Sequence, residues 1–156
     1  MVTKPDPPFY LVDDSIADTI SSLKWSPNSN ILAASSWDGR ISLWDIKPTY
    51  YGALDPQLVR NTDLPDPVLQ ISWHNEGSAI FAGCIDGSIK YWDLPQNKVF
   101  DLGKLSKAAA QVCWCEAMKL LFVLSWDKTI TVLDCKQPNP VCSKTLNYKV
   151  RLVSEE

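Results

Sequence analysis

The chain has 156 residues, of which 46% are apolar and 21% charged, and its formal net charge is -3. These values are typical of a globular protein and exclude a disordered tail. The negative charge argues against a protein that binds nucleic acid through its overall charge, and it leaves a local basic patch open. No apolar run approaches the roughly 20 residues that cross a membrane, and the proline-rich start lacks the pattern of a signal peptide. We therefore expect the cytosol or the nucleus, with no membrane partner.

A short segment occurs three times along the chain. Residues 35–45 end in Trp-Asp, and related segments lie at 83–93 and at 124–134. An aspartate within each copy and a tryptophan ahead of it recur together, and both series advance by 48 and then 41 residues. They are Asp38, Asp86 and Asp127, with Trp25, Trp73 and Trp114. A period in the forties with a Trp-Asp ending is typical of the four-stranded blade of a β-propeller.

The predicted strands follow this period in chain order. Residues 9–12 are a candidate strand ahead of the first repeat. Blade 1 then covers about residues 20–60, blade 2 about 68–102 and blade 3 about 109–146. Residues 148–153 have the pattern of the first strand of a fourth blade. We therefore predict an all-β fold, an incomplete WD-repeat propeller of about three four-stranded antiparallel blades plus one further strand.

Each repeat contains a predicted turn between its second and third strands. Asp38-Gly39 and Asp86-Gly87 favour two-residue hairpins, because glycine tolerates a positive φ angle and aspartate bonds the turn backbone. The third copy has Asp127-Lys128, and lysine adopts a positive φ angle less readily. The third turn therefore fits the hairpin pattern less well.

The large apolar residues near the end of each repeat are predicted to lie in the hydrophobic core. Trp44 and Trp92 are expected to pack between neighbouring blades, and Leu133 is the smaller substitute in the third repeat. Aromatic side chains bury more area than most others, so these positions should dominate the contacts between blades.

Several short motifs resemble one family of WD-repeat proteins. They are Asp13-Asp14-Ser15-Ile16, Ser26-Pro27-Asn28, Ser36-Trp37-Asp38, Pro67-Val68-Leu69, Ser125-Trp126-Asp127-Lys128-Thr129 and Pro138-Asn139-Pro140. The ordered set, over about residues 13–150, is similar to the nuclear-pore messenger-RNA export factors, and a spindle-checkpoint sibling looks similar too. The resemblance implies a seven-bladed propeller that binds a short helical segment, the GLEBS motif, of a partner protein. It also implies a location in the nucleus, at the nuclear envelope at the pore, and in the cytoplasm.

The chain departs from this family in two respects. WD repeats often carry a Gly-His pair whose imidazole bonds the turn aspartate, but Ile16, Leu64 and Leu105 hold those positions here. The aspartates must therefore find hydrogen bonds in their own turns or in water. The chain also has about three blades where the family has seven, so one chain cannot close the ring. We expect exposed blade faces that drive self-association.

The predicted binding surface is the rim formed by the three turns. The residue before each turn aspartate is Trp37, Ile85 or Trp126, and Arg40 and Lys128 lie beside them. Exposed aromatic side chains are favoured anchors at interfaces, and the two cations are suited to acidic groups of a bound peptide. The alternative is that both tryptophans fold over their own turns as packing.

Catalytic and cofactor chemistry is absent from the pattern. His74 is the only histidine, and its place in a turn favours a solvated residue over a general base. Cys113 and Cys115 are more typical of core than of a metal site, because no second Cys/His pair has zinc-finger spacing. Five cysteines without framework spacing indicate reduced thiols. We predict no enzyme, no cofactor and no metal.

Three functions therefore compete. The first is an interaction scaffold that binds the GLEBS segment of a phenylalanine-glycine nucleoporin and links messenger ribonucleoprotein to the pore. The second is a checkpoint adaptor, whose partner is a mitotic kinase or kinetochore protein. The third is a truncated propeller without independent function. Direct RNA contact is expected to be weak or indirect, because the net charge is negative.

Overall fold

A computed structural model describes residues 16–50, 53–137 and 139–147. These residues form three four-stranded antiparallel sheets. The strands are β1 (Ile20–Trp25), β2 (Ile31–Ser36), β3 (Arg40–Pro48), β4 (Leu54–Asp63), β5 (Val68–Trp73), β6 (Ala79–Cys84), β7 (Ser88–Asp93), β8 (Lys98–Lys104), β9 (Ala109–Cys115), β10 (Leu120–Ser125), β11 (Thr129–Leu133) and β12 (Cys142–Thr145). The predicted strands at 9–12 and 148–153 lie outside the described residues.

Each sheet is one blade in which the strands lie side by side in sequence order. Blade 1 contains β1 to β4, blade 2 contains β5 to β8, and blade 3 contains β9 to β12. Consecutive antiparallel strands need only short connections, which explains the regular spacing of turn residues along the chain. The predicted fold class, an incomplete all-β propeller, is confirmed.

The outer strand of blade 1, β4, extends to Asp63 and so passes the predicted end of that blade at about residue 60. β4 pairs with the whole of β3, from Arg40 opposite Asp63 to Pro48 opposite Leu54. Pro56 lies inside β4 and pairs with Ile46. Proline is tolerated there because β4 is an edge strand whose other side needs no donor. The sequence around Pro56 therefore did not show the full length of this outer strand.

The first strand of every blade carries an irregularity at the same place. The register with the second strand shifts so that Ser21, Leu69 and Ala110 are each skipped. An extra residue of this kind bends a strand and increases its twist. The sequence pattern did not predict this feature, although its three positions keep the repeat spacing.

The core lies between the blades. Ala33, Ile41 and Leu43 of blade 1 share one buried cluster with blade 2, which includes Trp73 and Trp92. A second cluster joins blades 2 and 3; it contains Phe81, Ile89, Ala109, Val112, Leu121, Val123 and Leu133. The predicted positions of Trp92 and Leu133 between blades are therefore confirmed.

Trp44 differs from its two equivalents. It is buried in a separate cluster with Ala34 and Ile46, and Ile16 packs against that cluster. The prediction that Trp44 packs between two blades is wrong for the described part of the chain, because no described blade lies on that side of blade 1.

Polar contacts also join neighbouring blades. They are Trp73 Nε1 to Lys24 O (3.1 Å), Asn28 Nδ2 to Glu76 O (2.7 Å), Val112 N to Gln70 Oε1 (3.1 Å) and Trp114 N to Ser72 Oγ (3.1 Å). Three of these bonds satisfy backbone groups on the first strands of blades, and the Asn28 bond satisfies a carbonyl in the connection between β5 and β6. Together they fix the blades relative to each other. Within the described ranges, no helix is long and apolar enough to cross a membrane.

Candidate partner-binding rim

The turns that follow β2, β6 and β10 lie at the same end of the three blades. Each turn has three residues, and the amide of the third donates to the carbonyl of the last strand residue. The bonds are Gly39 N to Ser36 O (3.2 Å), Gly87 N to Cys84 O (3.1 Å) and Lys128 N to Ser125 O (3.0 Å). The predicted two-residue hairpins are therefore wrong. A four-residue turn whose last residue has positive φ builds the common three-residue hairpin loop.

The third residue of each turn adopts a left-handed conformation. Its φ angle is 87° at Gly39, 89° at Gly87 and 70° at Lys128. A Cβ atom on Gly39 would lie 2.4 Å from the carbonyl oxygen of Leu64, which excludes other residues from this turn as it stands. The third turn keeps the same shape with lysine, at a cost of roughly 1 kcal/mol. The missing glycine therefore does not change the architecture of the rim.

The turn aspartates bond the backbone two residues later. The Oδ1 atoms of Asp38, Asp86 and Asp127 each accept an amide hydrogen at 2.9 Å. The donors are Arg40, Ser88 and Thr129. These bonds satisfy the carboxylates inside their own turns, as the missing histidines require.

The second carboxylate oxygen has a different partner in each later turn. Lys104 Nζ lies 2.7 Å from Asp86 Oδ2, and the Ser106 hydroxyl donates to Asp127 Oδ2 at 2.5 Å. Burial acts to raise the pKa of Asp86, but the hydrogen bonds from Lys104 and Ser88 outweigh it and lower that pKa to about 2. The hydrogen bond from Ser106 likewise lowers the pKa of Asp127. Both carboxylates are therefore ionised at neutral pH.

The residues before the aspartates have fixed backbones and unequal exposure. Trp126 is 60% exposed and Trp37 is 38% exposed, whereas Ile85 is half-buried. Their amides donate to carbonyls just before the first strand of the same blade; the pairs are Trp37 to Thr19 (3.0 Å), Ile85 to Pro67 (3.0 Å) and Trp126 to Ala108 (3.1 Å). The two tryptophans thus present apolar area from rigid positions, which suits an interface anchor.

The two cations of the rim differ in their surroundings. Arg40 pairs with Asp63, with 2.7 Å between Nε and Oδ1, on the neighbouring strand. An acidic group of a partner would therefore compete with Asp63 for this guanidinium. Lys128 is exposed, and no ion pair of its ammonium falls within the described residues. The sequence could not show the Arg40 pair, because its partner is 23 residues away.

The other residues considered for chemistry lie apart from the rim. His74 is half-buried and packs on Trp114, with 4.9 Å between the ring centroids, so the expectation of a solvated turn residue is wrong. Cys113 and Cys115 are partly buried, and all five cysteines are free thiols. Among the described residues, no three potential metal ligands come together.

Comparison with known proteins gives three kinds of match. Residues 14–45 and 58–93 match the family described as "WD domain, G-beta repeat". Protein RAE1 of Arabidopsis thaliana is 51% identical over 37 residues, which are 24% of this chain and 11% of that protein. The Poly(A)+ RNA export protein of Schizosaccharomyces pombe is 30% identical over 144 residues, with 85% of this chain and 38% of that protein covered. The chain thus spans well under half the length of either relative.

Solved structures match in fold. The computationally designed Ika4 protein has a TM-score of 0.68 and 20% identity, over 84% of this chain and 75% of that one. The designed Ika8 protein has a TM-score of 0.64 and 20% identity, over 80% of this chain and 36% of that one. The repeats, the blade architecture and the sequence matches together place the chain in the WD-repeat family, with sequence similarity to a poly(A)+ RNA export protein.

Proposed function

We propose that this chain is the partner-binding part of a non-enzymatic scaffold in messenger-RNA export. Its rim would bind the helical GLEBS segment of a phenylalanine-glycine nucleoporin and so link messenger ribonucleoprotein to the nuclear pore. The proposal places the protein at the nuclear envelope, in the nucleus and in the cytoplasm. The relationship to an RNA export protein over 85% of the chain supports it. The observation that carries it is the pair of exposed tryptophans at equivalent turns of blades 1 and 3.

The rim has the properties that an amphipathic helix needs. Trp37 and Trp126 offer rigid apolar area to residues spaced three or four apart on one helix face. Lys128 offers a positive charge to an acidic residue beside that face. Most of the binding energy should come from the tryptophans, because exposed ion pairs contribute little.

Calorimetry with a synthetic GLEBS peptide tests the proposal. Trp126→Ala should weaken binding by about 2 kcal/mol or more if Trp126 is an anchor, with little change in the melting temperature. Trp25→Ala is the matched control, because Trp25 is also exposed and lies outside the rim. Unchanged affinity of Trp126→Ala, or an equal loss in both variants, would contradict the proposal. A segment of a mitotic kinase serves as second titrant, and tighter binding of that segment would favour the checkpoint branch.

A further inference from the structure

A second concave site lies at the opposite end of blades 2 and 3 from the rim. It is a cavity of about 330 Å³, which we call the aromatic groove. Its lining residues are His74, Phe81, Tyr91, Leu102, Trp114, Lys119, Asp134, Cys135 and Lys136. His74 and Lys119 flank the connections between first and second strands, and residues 134–136 follow β11. Antiparallel strands alternate in direction, so these connections emerge away from the rim turns.

Four rings surround this groove. Phe81 and Trp114 stack with 5.1 Å between their centroids and 17° between their planes. His74 lies 4.9 Å from Trp114, and Tyr91 lies 5.5 Å from Phe81. Phe81 is fully buried and forms the floor, while the other three rings are half-buried. Such a lining favours a flat ring as ligand, because aromatic pairs gain energy from offset and edge-to-face contacts.

The groove between blades 1 and 2 shows that the fold does not require the rings of Phe81 and Tyr91, whose equivalents there are Ala33 and Leu43. That cavity has a volume of about 510 Å³ and no aromatic residue in its lining. Leu43 stands where Tyr91 stands in the aromatic groove, and Pro95 stands where Lys136 stands. Two grooves built on the same blade geometry thus differ in chemistry: the tryptophan recurs in blade 2 as Trp73, but the rings of His74, Phe81 and Tyr91 belong to one site.

One cation at the mouth of the groove, Lys136, is available to an anionic group of a ligand. The carboxylate of Glu116 already has partners: it forms an ion pair with Lys119 and accepts a hydrogen bond from Trp114 Nε1 at 2.8 Å. The oxygens of Asp134 accept from two neutral donors, the Lys136 amide at 2.9 Å and Gln137 Nε2 at 3.3 Å, which hold this carboxylate in its own turn. The Lys136 ammonium has no ion pair within the described residues.

We propose that the aromatic groove binds an aromatic side chain of a protein partner, and that a carboxylate next to it in the partner's sequence pairs with Lys136. The ring of the partner fills the space between Tyr91 and Trp114, over the buried Phe81. The groove would then be a second docking site, independent of the rim and facing the other side of the blades. A short acidic segment with one phenylalanine is the smallest ligand of this chemistry.

Nuclear magnetic resonance titration of the 156-residue chain tests the proposal. The probe is the acetylated peptide Glu-Glu-Phe-Glu, compared with peptides in which leucine replaces phenylalanine or lysine replaces glutamate. The acidic phenylalanine peptide should shift the indole signal of Trp114 and leave that of Trp126 unchanged. Lys136→Glu should weaken this binding by roughly threefold or more, while Lys98→Glu, an exposed lysine outside the groove, should not. Cys135→Trp should fill the groove and abolish binding.

Three results would overturn the proposal. The first is a leucine or lysine peptide that binds as well as the acidic phenylalanine peptide. The second is a shift confined to Trp126, which would place the peptide at the rim. The third is the absence of any shift at about 1 mM peptide in a chain whose spectrum shows it to be folded.

Discussion

The first strands of blades 1 and 2 carry apolar residues at the same positions, but these side chains are exposed in blade 1 and buried in blade 2. Ile20, Leu23 and Trp25 of β1 are 46%, 51% and 56% exposed. The equivalent residues of β5, which are Val68, Ile71 and Trp73, are 0%, 0% and 8% exposed. Only the neighbour differs, because β5 packs on blade 1 whereas no described blade covers β1. Burial in this fold is therefore a property of the contact between repeats.

This difference also decides which residues hold the structure together. A side chain at the β5 position contributes transfer energy and packing, while the same side chain at the β1 position stays in water. Repeat proteins gain much of their stability from such contacts between neighbours. The largest effect of mutation is therefore expected at the contact between blades 1 and 2.

Truncation of two equivalent tryptophans should give the largest difference in stability between the covered strand β5 and the open strand β1. Trp73→Ala should lower the free energy of unfolding by about 3–5 kcal/mol, because it empties a buried site and removes the bond to Lys24 O. Trp25→Ala should cost less than about 0.5 kcal/mol. Urea unfolding at low protein concentration measures both. Equal losses would mean that Trp25 is covered in solution.

The open face of blade 1 should drive self-association of this chain. Burial of one leucine contributes about 1.5–3 kcal/mol, so Leu23→Asp should raise the dissociation constant of the associated form about tenfold or more. Leu58→Asp is the control, because Leu58 is similarly exposed, at 47%, on the outer strand β4. Light scattering over a range of concentrations gives the constant. A chain that stays monomeric at every concentration would refute the role of this face.

The blade architecture could be predicted because its signals are local and repeated. The turn aspartates and the inner tryptophans keep one spacing in all three repeats. The turn length was wrong because the Asp-Gly pair occurs in both two-residue and three-residue loops. Lys128 shows that backbone hydrogen bonds can impose a positive φ angle on a residue that disfavours it.

The candidate sites were less accessible to sequence reasoning. The position of Trp126 before a turn aspartate could be found from the sequence, but its exposure could not, since Ile85 at the equivalent position is half-buried. The pairing of Arg40 with Asp63 and the packing of His74 on Trp114 depend on partners far away in sequence. The aromatic groove depends on the same kind of contact. The repeat spacing in the sequence does not indicate which side chains of adjacent blades come into contact.

The smallest expected effect concerns two backbone amides of β9. Val112 N donates to Gln70 Oε1 and Trp114 N donates to Ser72 Oγ, each at 3.1 Å. Removal of such an acceptor costs about 1 kcal/mol, so Ser72→Ala should accelerate hydrogen exchange at Trp114 roughly fivefold. The amide of Leu23, which is the equivalent of Val112 on the open face of blade 1, should exchange faster than Val112 in the unmodified chain.

Exchange measured residue by residue gives the control for this last prediction. Cys113 lies between the two amides and pairs with Phe122 of its own blade, so its exchange should not respond to Ser72→Ala. A uniform acceleration across β9 would show that the substitution loosens the whole contact between blades 2 and 3. Equal protection of Leu23 and Val112 would show that the first strand of blade 1 is covered in solution, because an exposed edge amide exchanges through small local openings.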